Sequence, residues 1–243
     1  NPSGGLGTVW ANTTSGEMFV LTDATTDANV WYNVGGGDGD VQPWEYGGTT
    51  YGYSSGGFLD GGPYNNMIER FSFTSDGNSV DTGQDLVRGI YYGSSTGASS
   101  ATHGYTTGGY VNPARYNEIS KFQFNSSSNA TDVGDMTTTR QSPTQTNSET
   151  HGYSVGGATG LPTGASIDKF TFASDANGTD VGDLNINLST GAGSASTTHG
   201  YVAGKDVGSP VPNHKIEKFT FASDGNATSV GNLTASTYIS YCA

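Results

Sequence analysis

His151-Gly-Tyr-Ser-Val-Gly-Gly157 and, after a short loop, Ile167-Asp-Lys-Phe-Thr-Phe172 form the stretch on which the fold turns. The first half returns as Tyr51-Gly-Tyr-Ser-Ser-Gly-Gly57, His103-Gly-Tyr-Thr-Thr-Gly-Gly109 and His199-Gly-Tyr-Val-Ala-Gly204. The second half returns as Ile68-Glu-Arg-Phe-Ser-Phe73, Ile119-Ser-Lys-Phe-Gln-Phe124 and Ile216-Glu-Lys-Phe-Thr-Phe221. Equivalent Phe residues are 51, 48 and 49 positions apart (73 to 124, 124 to 172, 172 to 221). That period matches four-stranded propeller blades, which repeat every ~40–50 residues.

Within each unit the residues predict strands. Phe170 and Phe172 alternate with Ile167 and Lys169, which places the two pairs on opposite faces of one strand. A polar turn follows, carrying Asp76-Gly77, Asn177-Gly178 or Asp224-Gly225, residues that tolerate positive φ and close hairpins. The next run ends at Leu86, Met136, Leu184 or Leu233. Large residues on both faces suit a blade that meets a neighbour on each side. Nothing in the chain has the period of an amphipathic helix. The expected fold is all-β: a kelch-like β-propeller over residues 46–243 with four visible blade repeats. Residues from Leu233 to Ala243 read as the start of a fifth repeat, either the strand that closes the ring, which is the favoured reading, or the beginning of a further blade in a cut chain.

A strand ending in Gly-Gly, a variable loop and an aromatic-rich hairpin resemble the kelch repeat. The fuller wording, His-Gly-Tyr-x-x-Gly-Gly, then Ile-Asp-Lys-Phe-x-Phe, then Thr-Asp-Val-Gly-Asp-Leu, is similar to repeats of tail-fibre proteins of marine bacteriophages. The resemblance covers about residues 46–243. It departs from ordinary kelch repeats in lacking the Trp of the last strand, where Val133, Val181 and Val230 stand instead.

Residues 1–45 do not follow the period. Thr8-Val-Trp-Ala-Asn12 and Glu17-Met-Phe-Val-Leu21 read as a hairpin, Val30-Trp-Tyr-Asn-Val34 as a third strand, and Gly35-Gly-Gly-Asp-Gly-Asp40 as a flexible joint. The wording of this segment also looks like short modules of phage fibre proteins. Three strands alone are marginally stable, so an attachment role is expected, with Trp10 and Trp31 buried against another chain or the particle.

Composition narrows the function classes. The formal net charge is −13 and no Lys or Arg precedes Arg70, which disfavours nucleic acid and anionic membranes as partners. No apolar run approaches the ~20 residues of a membrane span. The single cysteine, Cys242, excludes an internal disulfide and a cysteine-based zinc site. The N-terminal residues do not read as a signal peptide. No nucleophile elbow, phosphate loop or His-Glu-x-x-His occurs, so neither catalysis nor a cofactor is expected.

The recurring His103, His151 and His199 start equivalent strands, which suits a turn hydrogen bond better than a metal site. Oxygen-bearing Asp175, Asn177 and Thr179 alternate as calcium ligands can, but no bidentate Glu follows them. The Asn-x-Ser/Thr triplets at Asn12, Asn129, Asn177 and Asn226 mostly coincide with the repeated turns. The informative residues lie where the repeat breaks. Phe58, Asp60, Tyr64 and Asn65 in one loop, and Tyr110, Asn112, Arg115 and Tyr116 in the next, offer aromatic faces for sugar rings and polar groups for hydroxyls.

The resemblance implies a virion structural protein, a tail or tail-fibre component on the particle surface. Its partners would be other virion proteins, further copies of itself and host surface polysaccharide. A bacterial surface adhesin and a sugar-processing propeller enzyme are the alternatives. Inside each repeat, a hairpin closed by Ser174 to Gly178 would set Lys169 opposite Asp183, and likewise Arg70 opposite Asp85, Lys121 opposite Asp135 and Lys218 opposite Asn232.

Overall fold

A computed structural model describes residues 5–11, 18–26, 29–33, 50–59, 62–94, 96–159, 164–205 and 214–234. Asp60, the glycine-rich joint, Cys242 and the closing segment beyond Thr234 lie outside the described residues. The chain divides into two compact units, Asn1–Glu45 and Tyr46–Ala243.

The first unit is a three-stranded antiparallel sheet of β1 (Val9–Ala11), β2 (Met18–Asp23) and β3 (Val30–Asn33). Trp10 pairs with Phe19 and Leu21 with Trp31, so these four share a face on which only Leu21 is fully buried. Trp10, expected to be buried against another chain, is 51% exposed in this one, because three strands supply no second layer.

The second unit is four antiparallel sheets in sequence order. Repeat 1 contributes β4 (Tyr51–Ser55), β5 (Met67–Ser72) and β6 (Val80–Asp85). Repeat 2 contributes β7 (Ala98–Ser99), β8 (His103–Val111), β9 (Ala114–Gln123) and β10 (Thr131–Arg140). Repeat 3 contributes β11 (Thr144–Asn147), β12 (His151–Val155), β13 (Ser166–Thr171) and β14 (Thr179–Asp183). Repeat 4 contributes β15 (Ala192–Ala195), β16 (His199–Lys205), β17 (His214–Thr220) and β18 (Thr228–Asn232). The described residues contain no helix, and none of the sheets closes on itself.

The motif explains how each sheet packs. The Gly of His-Gly-Tyr lies opposite the first Phe of Phe-x-Phe, and that ring covers the glycine so closely that a Cβ at Gly104, Gly152 or Gly200 would strike it. The Tyr of each repeat then stacks on the Phe pair of the next. Tyr53 meets Phe124 at 4.7 Å, Tyr105 meets Phe172 at 4.8 Å and Tyr153 meets Phe221 at 5.0 Å between ring centroids. Three separate hydrophobic clusters result, one per junction. Burial pushes the Tyr153 hydroxyl up to about 12, with Asp224 adding to the effect.

Backbone bonds join the same junctions. The Asp85, Asp135 and Asp183 amides donate to the side chains of Asn129, Asn177 and Asn226 in the following hairpin. Their carbonyls accept from Ala130, Gly178 and Ala227. Nearer the inner strands, Ser142 N–H donates to Tyr92 O and Thr190 N–H to Ser142 O.

This clamp corrects the expected strand register. Lys169 lies opposite Thr179, Asp168 opposite Asp180, and Asp183 opposite Ser166. Likewise Lys121 faces Thr131, Arg70 faces Val80 and Lys218 faces Thr228, so neither the three charge pairs expected within a repeat nor the Lys218–Asn232 pair is formed. Asn177 and Gly178, assigned by sequence to closing their own hairpin, reach back to the preceding repeat instead, which widens the loop. The lysines pair forward: Lys121 with Asp175 at 2.7 Å, and Lys169 with Asp224. Arg70 has no acid at the matching place in the next hairpin, where Ser127 stands, and lies over the Tyr51 ring at 4.7 Å.

Candidate recognition surface

The loops singled out by sequence come together between repeats 1 and 2. Phe58 and Tyr64 form a bridge across their own loop, with ring centroids 5.8 Å apart. The β8–β9 hairpin turns at Asn112-Pro113, a cis peptide, and pairs Tyr110 with Arg115. Tyr110 hydroxyl donates to Asn112 Oδ1 at 3.0 Å, and Asn112 N–H donates to the Tyr64 hydroxyl at 3.1 Å. The Arg115 guanidinium sits 5.9 Å from the Tyr110 ring centre. Two loops from different repeats are thereby locked into one surface.

Sequence reasoning missed Tyr91 and Tyr92, which lie in the connection from β6 to β7. Tyr91 exchanges backbone hydrogen bonds with Tyr110 at 2.7 and 3.0 Å, and its ring lies 5.3 Å from Phe58. Tyr92 stacks on Tyr91 at 3.7 Å, and a hydrogen bond between their hydroxyls holds the Tyr91 phenol above its ordinary value. The adjacent Tyr91-Tyr92 pair in a variable connection was the available signal. Phe58 and Tyr92 remain 53% and 45% exposed, so the patch presents aromatic faces to solvent.

Two expected contributors hold the scaffold instead. Asn65 Oδ1 accepts from Met67 N–H and its amide donates to Gly56 O. Tyr116 is covered by the Arg88 guanidinium, 4.0 Å from its ring centre, which is fixed by an ion pair with Glu118. The same bond raises Arg88 above its ordinary value. The corresponding bridge in repeat 3 joins Gln141 to Ala158 and carries no ring.

Tyr92 has φ of 54°, in the left-handed region. Ser142 and Thr190, at the same place in the next connections, have φ of 51° and 61°. Strain shared by all three belongs to the inter-repeat backbone ladder and does not single out a functional residue.

Other candidates resolve into structure. Thr102, Thr150 and Thr198 each bond the Nδ1 of the following His at 2.8 Å. Asp175, Asn177 and Thr179 point to Lys121, the Asp135 amide and Lys169 O, so they do not converge on a cation. A cleft of about 590 Å³ runs along β4, lined by Tyr53, Phe71, Phe73 and Tyr105 among others. No carboxylate, imidazole or thiol is among its described lining residues.

No family model matches this chain, and no curated protein sequence matches it significantly.

Proposed function

We propose that this chain is a binding component of a virion, a tail or tail-fibre protein whose repeats are arranged as a β-propeller and whose rim recognises host surface glycan. One observation carries the reading: Phe58, Tyr91, Tyr92 and Tyr110 form an aromatic patch, exposed at Phe58 and Tyr92 and half-buried at Tyr91 and Tyr110, braced by Asn112 and Arg115. Aromatic faces stack on the apolar side of a sugar ring, and amide and guanidinium groups meet its hydroxyls or carboxylates. The repeat wording supports the virion assignment. The narrow inner region supports the propeller, since Thr96 Oγ1 bonds Gln145 O at 2.6 Å and would lie 3.0 Å from a Cβ on Gly193. Inner strands of three successive repeats therefore crowd together. The Trp10, Phe19 and Trp31 surface of the first unit, on which Trp10 is exposed and the other two are half-buried, suits attachment to a particle, where many weak contacts gain avidity.

A glycan array run beside a hydrolysis assay tests the reading. Binding without turnover is expected, and Phe58→Ala or Tyr92→Ala should weaken it roughly 10–30-fold without changing the fold. Turnover of a bound glycan would favour the enzyme alternative, and binding indifferent to both substitutions would remove the patch from the account.

A further inference from the structure

Resting on the glycan-binding reading of the patch, we propose that its ligand is an acidic saccharide, a pyranose bearing a carboxylate that pairs with Arg115. The chain has four arginines, and two of them hold carboxylates of the protein itself. Arg88 takes Glu118 through Nε and a terminal nitrogen while lying 4.0 Å from the Tyr116 ring centre. Arg140 takes Asp168 at 2.8 Å in the interior. Arg70 lies over the ring of Tyr51, at the end of the β4–β5 pair remote from the loop that carries Phe58 and Tyr64.

Arg115 has neither arrangement. Among the described residues no acid pairs with it and no acceptor takes a hydrogen bond from its side chain, and its Nε is buried without a partner. The only ring beside it is that of Tyr110, whose centre lies 5.9 Å away, near the outer limit of a cation–π contact. Glu118, the acid on the same strand, is already taken by Arg88. A half-buried guanidinium has lost part of its water, and without an acceptor that loss is uncompensated.

Strand pairing makes this cation part of the patch. Tyr91 lies opposite Tyr110 and Tyr110 opposite Arg115, so the three side chains stand in a row on one face of adjacent strands. Neighbours in such a row are roughly 5 Å apart, which sets Arg115 about 10 Å from Tyr91. A disaccharide covers such a span, with one ring stacked on Tyr91 and the carboxylate of the other meeting Arg115. The planar fork of a guanidinium matches the two oxygens of a carboxylate and gives a charge-assisted, two-point contact. The net charge of −13 repels anions at long range, so selectivity for an acidic sugar requires a cation at the point of contact.

The test measures the full chain against oligomers of glucuronic, galacturonic and mannuronic acid and of sialic acid, each beside its carboxyl-reduced counterpart. At least one acidic oligomer should bind roughly tenfold or more tighter than its reduced form. Arg115→Gln should remove that preference and leave the affinity for the reduced form unchanged. Arg115→Lys should keep part of it, because the charge remains while the fork is lost. Arg70→Gln, which deletes the same charge outside the patch, should change neither affinity, and circular dichroism checks that each variant is folded. Reduced oligomers that bind as well as acidic ones, with Phe58→Ala weakening both, would overturn the acidic ligand and leave the glycan reading standing. An acid preference that survives Arg115→Gln would do the same. Oligoglutamate bound as tightly as the acidic saccharides would show that charge alone is read and would overturn the sugar as ligand. Binding to no glycan at all would overturn both this inference and the reading on which it rests.

Discussion

At the junction between repeats 2 and 3, Arg140 occupies the place that Ile90 fills at the junction before it and Leu188 at the junction after it. All three are essentially buried, with Arg140 and Leu188 at 0% exposure and Ile90 at 5%. Arg140 donates to Gly156 O, Thr138, Ser166 and Asp168, the last at 2.8 Å with neither side chain exposed. Burial lowers the Arg140 guanidinium from its ordinary value, and the Asp168 charge opposes that shift. At the next junction Glu217 takes the place of Asp168. It accepts from the Asn185 amide and side chain and from Ser229, and no cation among the described residues joins it. Both acids cap the same backbone position, Thr137 in one case and Asn185 in the other. The two junctions share their backbone clamp and their Tyr–Phe stack. A repeated frame therefore tolerates opposite core chemistry, provided the buried charges find partners; Arg140 Nε alone of that guanidinium's nitrogens is buried without one.

The largest effect expected from this comparison follows removal of one charge. Arg140→Leu, which copies the neighbouring junction, should destabilise the protein by roughly 3–5 kcal/mol in denaturant unfolding, because Asp168 is left buried and unpaired. Adding Asp168→Ser, the residue that Ser120 provides in repeat 2, should return stability to within about 1–2 kcal/mol of the parent. A double variant as unstable as the single would show that the frame itself depends on the ion pair.

Glycine at the strand bulge sharpens the comparison between junctions. Gly182 has φ of 153°, and a Cβ there would press into the Gly225 backbone of the next repeat. Gly83, its counterpart in repeat 1, has φ of 75° and open space around it. Gly182→Ala should cost about 2–3 kcal/mol, and Gly83→Ala about 1 kcal/mol. Equal losses would mean that backbone strain, not contact with the neighbour, governs the position.

Charge pairing between repeats is worth less. Lys169→Gln and Asp224→Asn should each lower stability by at most about 1 kcal/mol, less at high salt, since the Asp224 side chain is 61% exposed. Asp183→Asn should do nothing, and an effect there equal to that of Asp224→Asn would revive pairing within the repeat.

The smallest effect concerns acid. Burial, with Lys121 or Lys169 adding to it, depresses His103 and His151 below 6.5, against opposition from Asp175 and Asp224. The folded state then binds fewer protons than the unfolded one. Their contribution is present above about pH 6.5 and is lost as pH falls through the folded values. Urea midpoints measured from pH 7.5 to 5 should decline slightly, and the decline should flatten in His103→Gln and His151→Gln. No difference in slope would show that these rings titrate alike in both states.

Much of the fold was legible because it is periodic. The His-Gly-Tyr and Phe-x-Phe motifs located the strands, and alternation put Phe170 and Lys169 on opposite faces, where Phe170 meets Tyr105 and Lys169 meets the next repeat. The breaks in the repeat led to Phe58, Tyr64, Tyr110, Asn112 and Arg115, which do share one surface. Tyr91 and Tyr92 escaped notice because their connection has no motif. The charge pairs failed because Asn177 and Gly178 looked like an ordinary turn, yet bond to the preceding repeat.

By itself the sequence determined the spacing of the repeats, the identity of the strands and the side chains available at each face. These follow from local sterics and from alternation, which neighbours in the chain dictate. Only the tertiary structure decided the hairpin register, the Arg140–Asp168 pair, the company of Tyr91 and Tyr92, and which Phe pairs are covered. Each depends on contacts between neighbouring repeats, and the free energy of burying or bonding those groups arises only when two sheets meet.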